Sequence, residues 1–179
     1  MINALKDLKI MVIGDGIIDE YHYCESLGKS SKANLVVSKY LSHEVFAGGT
    51  FAVANHLAGL CDNVTMVSML GKEDSREDFI LKNLKQNIKT KFFYRDTGPT
   101  VIKKRYIHEY LNQKLFEVCY LNDDMIDGGC EAEIIDYLAS EVPKYDMVMV
   151  SNFGHGFVTD KLIEAVKVCA KVFAVNAQT

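Results

Sequence analysis

The sequence predicts an α/β protein in which a mostly parallel central sheet is covered by helices and a smaller β element is set into it. Three observations carry that expectation. Short apolar runs at residues 9–13, 64–70, 146–150 and 172–175 each end in glycine or a polar turn, at Gly14-Asp15-Gly16, Gly71, Ser151-Asn152 and Asn176. Runs of that kind read as strands buried on both faces, as parallel strands between helix layers are. Segments of helical period lie between them, and strand–helix–strand alternation implies right-handed crossovers. Residues 20–46 and 91–120 fit neither pattern and read as further strands outside the main sheet.

The helices follow in order. Residues 50–60 are rich in small or apolar side chains (Ala52, Val53, Ala54, Leu57, Ala58), which lets a helix pack close to a sheet. Asp74-Ser75-Arg76-Glu77 has the pattern of a capping box, with Ile80, Leu81, Leu84 and Ile88 at helical spacing behind it. Ile134, Ile135 and Leu138 mark a shorter helix, and Thr159-Asp160 opens one carrying Leu162, Ile163, Val166, Cys169 and Ala170 on one face. In the inserted regions, Tyr21-His22-Tyr23 and Leu35-Val36-Val37 flank a Gly28-Lys29-Ser30-Ser31 turn. Lys91-Phe92-Phe93-Tyr94, residues 101–107 and residues 115–120 make three more extended pieces, and the inserted element is expected to be antiparallel. With no repeat, low-complexity tract or linker, residues 1–179 read as part of a single domain. The last strand lies four residues from the end, either an edge strand closing a small domain or, the favoured reading, a piece of something longer.

Composition excludes several function classes. The 179 residues are 49% hydrophobic and 25% charged, enough for one real core. Twenty Lys and Arg against 24 Asp and Glu leave a net charge of −4. Without a basic run, this disfavours a nucleic-acid partner. No apolar stretch approaches the ~18 residues of a membrane span, and residues 1–13 do not resemble a signal peptide, so a cytoplasmic protein is expected. Five widely spaced cysteines, with no CxxC, suit reduced thiols. Five scattered histidines give no zinc spacing, and no metal site is expected.

Two glycine motifs fail on inspection. Gly14-Asp15-Gly16-Ile17-Ile18-Asp19 places Asp19 where a dinucleotide fingerprint needs its third glycine. Gly28-Lys29-Ser30 has Tyr23 where a phosphate loop needs its first. Asp15 and Asp19 are better candidates. Both follow the first strand, and a carboxylate can accept two hydrogen bonds from neighbouring hydroxyls, which suits a sugar. The competing reading makes Asp15 a turn cap and Asp19 a solvated carboxylate. Gly48 and Gly49, before Thr50, can let backbone approach a ligand at a helix start or can be a plain tight entry. Asn152, His155 and Asn176 sit at two other strand ends, where they line the same cleft or serve the turns. His56 reads as a core or surface histidine.

In their order these pieces resemble the PfkB, or ribokinase-like, carbohydrate kinases, and most of all the heptose-phosphate kinase domain of bifunctional heptose kinase/nucleotidyltransferases. Residues 13–21 resemble the GDxxxDxY first strand. Ala47-Gly48-Gly49, the helix after it, the strand ending at Gly71 and Asp74 resemble the GG segment and G-x-x-D turn. Residues 99–105 with Asn112-Gln113 resemble the PT-x-x-K-x-R and NQ pieces, and Ser151-Asn152-Phe153-Gly154-His155-Gly156 stands where the family has SDYxKG. The resemblance implies a ribokinase-like α/β sandwich, its lid strands here within residues 20–46 and 91–120 and covering the sugar site. It implies transfer of phosphate from ATP, with Mg²⁺, to a sugar or sugar-phosphate hydroxyl. Asp19 would then hold sugar hydroxyls, Gly48 and Gly49 would bring backbone to the sugar, and Arg105 and Gln113 would lie near the sugar or its phosphate. Exposed lid edges favour a homodimer.

The departures are specific. The GGxxN asparagine falls on Ala52, with Asn55 nearby; the SDYxKG aspartate and lysine fall on Asn152 and His155; the following DPK falls on Asn176-Ala177-Gln178. The GAGD segment that supplies the family's aspartate base does not occur in these residues, so no catalytic residue is assigned and the chain alone is expected to phosphorylate nothing. The rival reading is a catalytically degenerate binding or regulatory module. A generic nucleotide-binding domain is disfavoured by both failed glycine motifs.

Overall fold

The computed structural model describes residues 5–178. In chain order the elements are β1 (Lys9–Gly14), β2 (Gly16–Lys29), β3 (Val36–Gly49), α1 (Thr50–Leu57), β4 (Asn63–Gly71), α2 (Glu77–Asn83), β5 (Ile88–Arg95), β6 (Val101–His108), β7 (Gln113–Tyr120), α3 (Gly128–Glu141), β8 (Met147–Asn152), α4 (Asp160–Cys169) and β9 (Phe173–Ala177).

Five strands form an all-parallel sheet in the order β5-β4-β1-β8-β9. The alternation along β1 divides the core. Met11 and Ile13 join Ile134 and Leu138 of α3 and Leu162 and Val166 of α4 on one face. Ile10 and Val12 join Phe51 and Ala54 of α1 and Ile80 of α2 on the other. Successive side chains of a strand point to opposite faces, so a run with no polar break buries both.

A second sheet, in the order β3-β2-β6-β7, forms the lid. Its root is anchored in the core through Ile18 and Ile102, which pack into the layer between the sheet and α1 and α2. The lid is not purely antiparallel as expected: β2–β3 and β6–β7 are antiparallel hairpins, but the central pair β2–β6 is parallel. Both central strands leave the carboxyl edge of the core sheet, β2 directly after β1 and β6 after β5, so they run the same way.

Five further expectations are corrected. Lys91-Phe92-Phe93-Tyr94 is no lid strand; it belongs to β5, which pairs in parallel with β4 at the sheet edge and buries Phe93 in the core. Helix α1 stops at Leu57, not at residue 60. Helix α2 stops at Asn83, because Leu84 turns extended (φ −90°, ψ 147°) and Ile88 has already entered β5. Its start is no capping box: Arg76 holds the N-cap position with φ 52°, and Ser75 Oγ accepts from the Glu77 N–H at 3.3 Å. Helix α3, expected to be short, runs for 14 residues, with the Asp127 side chain accepting from the N–H groups of Gly129 and Cys130. Thr159 caps α4 as its sequence suggests.

Candidate functional site

The carboxyl ends of β1, β4 and β8 meet the root of the lid, and Asp15 is the knot between them. It is buried. Its N–H donates to Ser151 O (3.2 Å), its carbonyl accepts from Thr50 N–H (3.0 Å), and its carboxylate accepts from Phe153 N–H (2.8 Å). One residue thus ties the exit of β1 to the start of α1 and the exit of β8. Gly49, at φ 55°, completes the knot: a Cβ there would stand 2.6 Å from Asp15 O in a conformation that L side chains rarely adopt.

Asp19 lies four residues along β2. Its carboxylate is hydrogen-bonded by the Arg105 guanidinium from β6. Arg105 Nε also lies 2.7 Å from Glu117 on β7, and the guanidinium stands 5.3 Å from the Tyr21 ring centroid. The register explains the cluster. Asp19, Lys103, Arg105 and Glu117 alternate onto one face of the lid, and Arg105 is directly opposite Glu117. Burial by itself would lower the Arg105 pKa, but Asp19 and Glu117 more than offset it and the net direction is up. Burial likewise pushes Glu117 up, while the Cys119 thiol and the charge of Arg105 pull it to a net value below the usual range. Gly48 lies against the same cluster, its absent Cβ leaving room for Asp19 Oδ2 at 1.9 Å.

The opposite face of the lid carries a separate group. Glu20 accepts from His22 at 3.1 Å and pairs with Lys104 at 3.4 Å. Burial raises its pKa, yet these two partners leave it lowered overall. A row of stacked rings crosses all four strands, from His43 to His22 (5.3 Å), His22 to Tyr106 (5.0 Å) and Tyr106 to Phe116 (4.4 Å).

Between Asp15 and the root of β6 lies a partly open recess of about 20 Å³, lined in part by Asp15, Gly71, Arg95, Thr100 and His155. Thr100 accepts from Gly71 N–H (3.0 Å) and donates to Ser75 O (2.8 Å). Arg95 donates to the carbonyls of Asn122 and Asp124. His155 Nδ1 meets Asp123 Oδ1 at 2.8 Å.

The sequence-derived candidates divide accordingly. Asp15, Gly49 and His155 gather at the sheet end, and Asp19, Gly48 and Arg105 form the adjoining lid cluster. Gln113 stays apart. It pairs with His108 at the exposed tip of the β6–β7 hairpin, five residues along β6 from the Lys103 that registers with Asp19. That is roughly 17 Å at the rise of a strand. Asn176 is exposed on the outermost strand, β9. Asn152 serves its turn, accepting from Gly154 N–H at 2.9 Å. Thr179 lies outside the described residues. Asn55 is a structural clamp, donating to Asn83 O and accepting from Lys85 N–H, both at 2.9 Å, and His56 is exposed. Sequence reasoning passes over Arg95, Asp123 and Glu117, which no local motif marks. Thr100 stands in the PT motif without a role of its own. Among the described residues there is no cluster of three or more His, Cys, Asp or Glu side chains that could hold a metal. No described helix is long and apolar enough to cross a membrane.

No family model matches the chain. Curated relatives do. The chain is 29% identical over 157 residues to Bifunctional protein HldE of Haemophilus influenzae, covering 87% of this chain and 32% of that one. It is 26% identical over 159 residues to Bifunctional protein HldE of Trichlorobacter lovleyi, covering 89% and 32%. Among solved structures, Escherichia coli phosphofructokinase-2 in complex with fructose-6-phosphate superposes with a TM-score of 0.63 at 12% identity, over 96% of this chain and 55% of that one. Ribokinase from Giardia lamblia superposes with a TM-score of 0.60 at 17% identity, over 95% and 55%. The fold is ribokinase-like. The chain spans about a third of the curated relatives and about half of these kinases. Of the ribokinase-like fold, this chain supplies a central sheet and the lid; Asp15 and His155 line the recess at the sheet end, and Asp19 stands in the adjoining lid cluster.

Proposed function

We propose that this chain is the sugar-binding and lid portion of a carbohydrate kinase acting on a sugar or sugar phosphate, heptose-phosphate-like in class. The observation that carries the reading is Asp19, held at the lid root by Gly48 beneath it and Arg105 beside it. A carboxylate fixed in place loses little entropy when it accepts sugar hydroxyls, which is how a preorganised site gains affinity. In the whole enzyme, ATP with Mg²⁺ would supply the phosphoryl group. The 179 residues contain no GAGD segment, so steady ADP formation by this chain with a sugar is not expected. The exposed edge strand β7, with Phe116, Val118 and Tyr120 on one face, supports pairing of two lids in a homodimer.

The test is thermal stability against heptose phosphates, hexose phosphates, free sugars and ATP–Mg²⁺, since a ligand that binds only the folded state raises the melting temperature. A shift with one sugar class, abolished in Asp19→Asn, is the expected result. A shift with ATP–Mg²⁺ and none with any sugar overturns the reading. Sedimentation of the wild type against Phe116→Glu tests the dimer.

A further inference from the structure

We propose that Phe46, on lid strand β3, is a specificity residue that stacks against the apolar C–H face of the bound sugar while Asp19 takes its hydroxyls; the proposal deepens, and rests on, the sugar-binding reading. The β2–β3 register makes the pair. Asp19 and Phe46 stand directly opposite each other on antiparallel strands, so their side chains share one face with Cβ atoms about 5 Å apart. The alternation along β3 fixes which face that is. Val45 and Ala47, on either side of Phe46, pack against the core layer of α1 and α2. Phe46 therefore projects from the other face, the one that carries Asp19, Lys103 and Arg105.

Phe46 is 49% exposed, so a ligand can reach its ring. It belongs to neither core cluster. Its one aromatic neighbour among the described residues is Tyr21, nearly perpendicular at 5.8 Å, and Tyr21 in turn lies 5.3 Å from the Arg105 guanidinium. The ring is thus propped without being covered. An exposed phenylalanine is ordinary when it stands alone. This one opens a row of charged groups, with Asp19 opposite it and Lys103 opposite Asp19 on the next strand. Ionised neighbours offer an apolar ring no burial. An open ring beside a carboxylate held by Arg105 matches a ligand that is itself two-sided. A sugar has C–H groups on one face, which meet the negative face of an aromatic ring, and hydroxyls at its edge, which meet a carboxylate. From Phe46 to Lys103 the row covers two strand spacings, roughly 10 Å between backbones.

The test reads the sugar's own protons. The probes are fructose 6-phosphate and a heptose 7-phosphate, followed by proton magnetic resonance and by calorimetric titration. An aromatic ring moves protons above its face upfield, so C–H resonances of the bound sugar are expected to shift upfield with the wild type and not with Phe46→Leu. Phe46→Leu is also expected to bind about fivefold more weakly, with its melting temperature within about 2 °C of the wild type because the side chain is exposed. Phe46→Tyr keeps the ring and should hold affinity within about twofold. Sedimentation of Phe46→Leu is expected to match the wild type. Two results overturn the role of Phe46 and leave the sugar-binding reading standing. In one, a probe binds in a manner that depends on Asp19, with the same C–H shifts and affinity in Phe46→Leu. In the other, Phe46→Leu changes the oligomeric state and leaves affinity intact, which assigns the ring to an interface. If no probe binds the wild type, or binding is indifferent to Asp19→Asn, both readings fall.

Discussion

Placing a single methyl group on Gly48 tests the core of the candidate site. A Cβ there would lie 1.9 Å from Asp19 Oδ2 and 3.0 Å from its Cγ. Ordinary contact begins at about 3.4 Å, so the carboxylate must retreat by roughly 1.5 Å. That distance breaks its hydrogen bond with Arg105. Both side chains are mostly shielded (19% and 14% exposed), so solvent screening gives little relief. A charge-assisted hydrogen bond is worth about 1.5–3 kcal/mol, and the smaller unfolded-state entropy of alanine returns about 0.4–1 kcal/mol. The net expectation for Gly48→Ala is a loss of about 2 kcal/mol, or roughly 4–8 °C in melting temperature for a chain of this size. Urea unfolding should show a lower midpoint with an unchanged slope. The decisive comparison is the same substitution made on Asp19→Ala. With the carboxylate gone the methyl group meets Ile17 O at 3.4 Å, an ordinary contact, and most of the cost should vanish. An equal cost in both backgrounds would mean that the methyl group clashes with something other than Asp19. Gly128→Ala, in the first turn of α3 with nothing within 4 Å of the new Cβ, is the control and should stabilise by about 0.5 kcal/mol.

Arg105→Met should cost about 3 kcal/mol by urea unfolding, since it leaves Asp19 and Glu117 facing each other without their cation; Arg105→Lys should recover less than half, because a point charge cannot serve both carboxylates. Glu20 and Glu117 both titrate below their ordinary value of 4.5 in the folded protein. Their contribution is full above that value and is lost as pH falls through the lowered folded values, so urea midpoints should hold from neutral pH down to about 5 and then fall, less steeply in Glu20→Gln. Asp127→Ala removes the acceptor for two N–H groups at the start of α3 and should cost about 1 kcal/mol in the same assay.

What can be read from sequence follows from what local pattern encodes. β1, β4 and β8 are legible because strands buried on both faces write an unbroken apolar run. β5 reads as a lid strand, in the wrong sheet, because an edge strand shows half its side chains to solvent. Lys89 and Lys91 alternating with Thr90 and Phe92 look the same in a lid hairpin as at the margin of a core sheet. The lid strands are detectable, but β2 and β3 are 14 residues each, longer than their pattern suggests, since Glu, His and Ser in a solvated sheet carry no core period. In the site, Asp15 and Asp19 are legible as acceptors placed after a strand. The partner of Asp19 is 86 residues away, and Glu117 reaches Arg105 only through the β6–β7 register. Gly48 reads as a place where the protein backbone approaches a ligand, whereas the structure fills the space beside it with the Asp19 carboxylate.

The same register decides which charges remain free for a substrate. Arg105 stands between Asp19 and Glu117, one positive charge against two negative, so that ion-paired triad is anionic and suited to neutral hydroxyls. A substrate phosphate must find its cation elsewhere. Lys103 meets the requirement: it shares the face of Asp19 and Arg105, is partly buried, and forms no ion pair among the described residues. Lys103→Ala should therefore weaken fructose 6-phosphate about tenfold while leaving unphosphorylated fructose within about twofold, and Arg105→Met should weaken both alike. The measurement is the ratio of the two affinities in each variant by calorimetric titration. An equal loss for both sugars in Lys103→Ala would mean that the lysine acts through the lid's stability, and the phosphate would have to be sought outside this face.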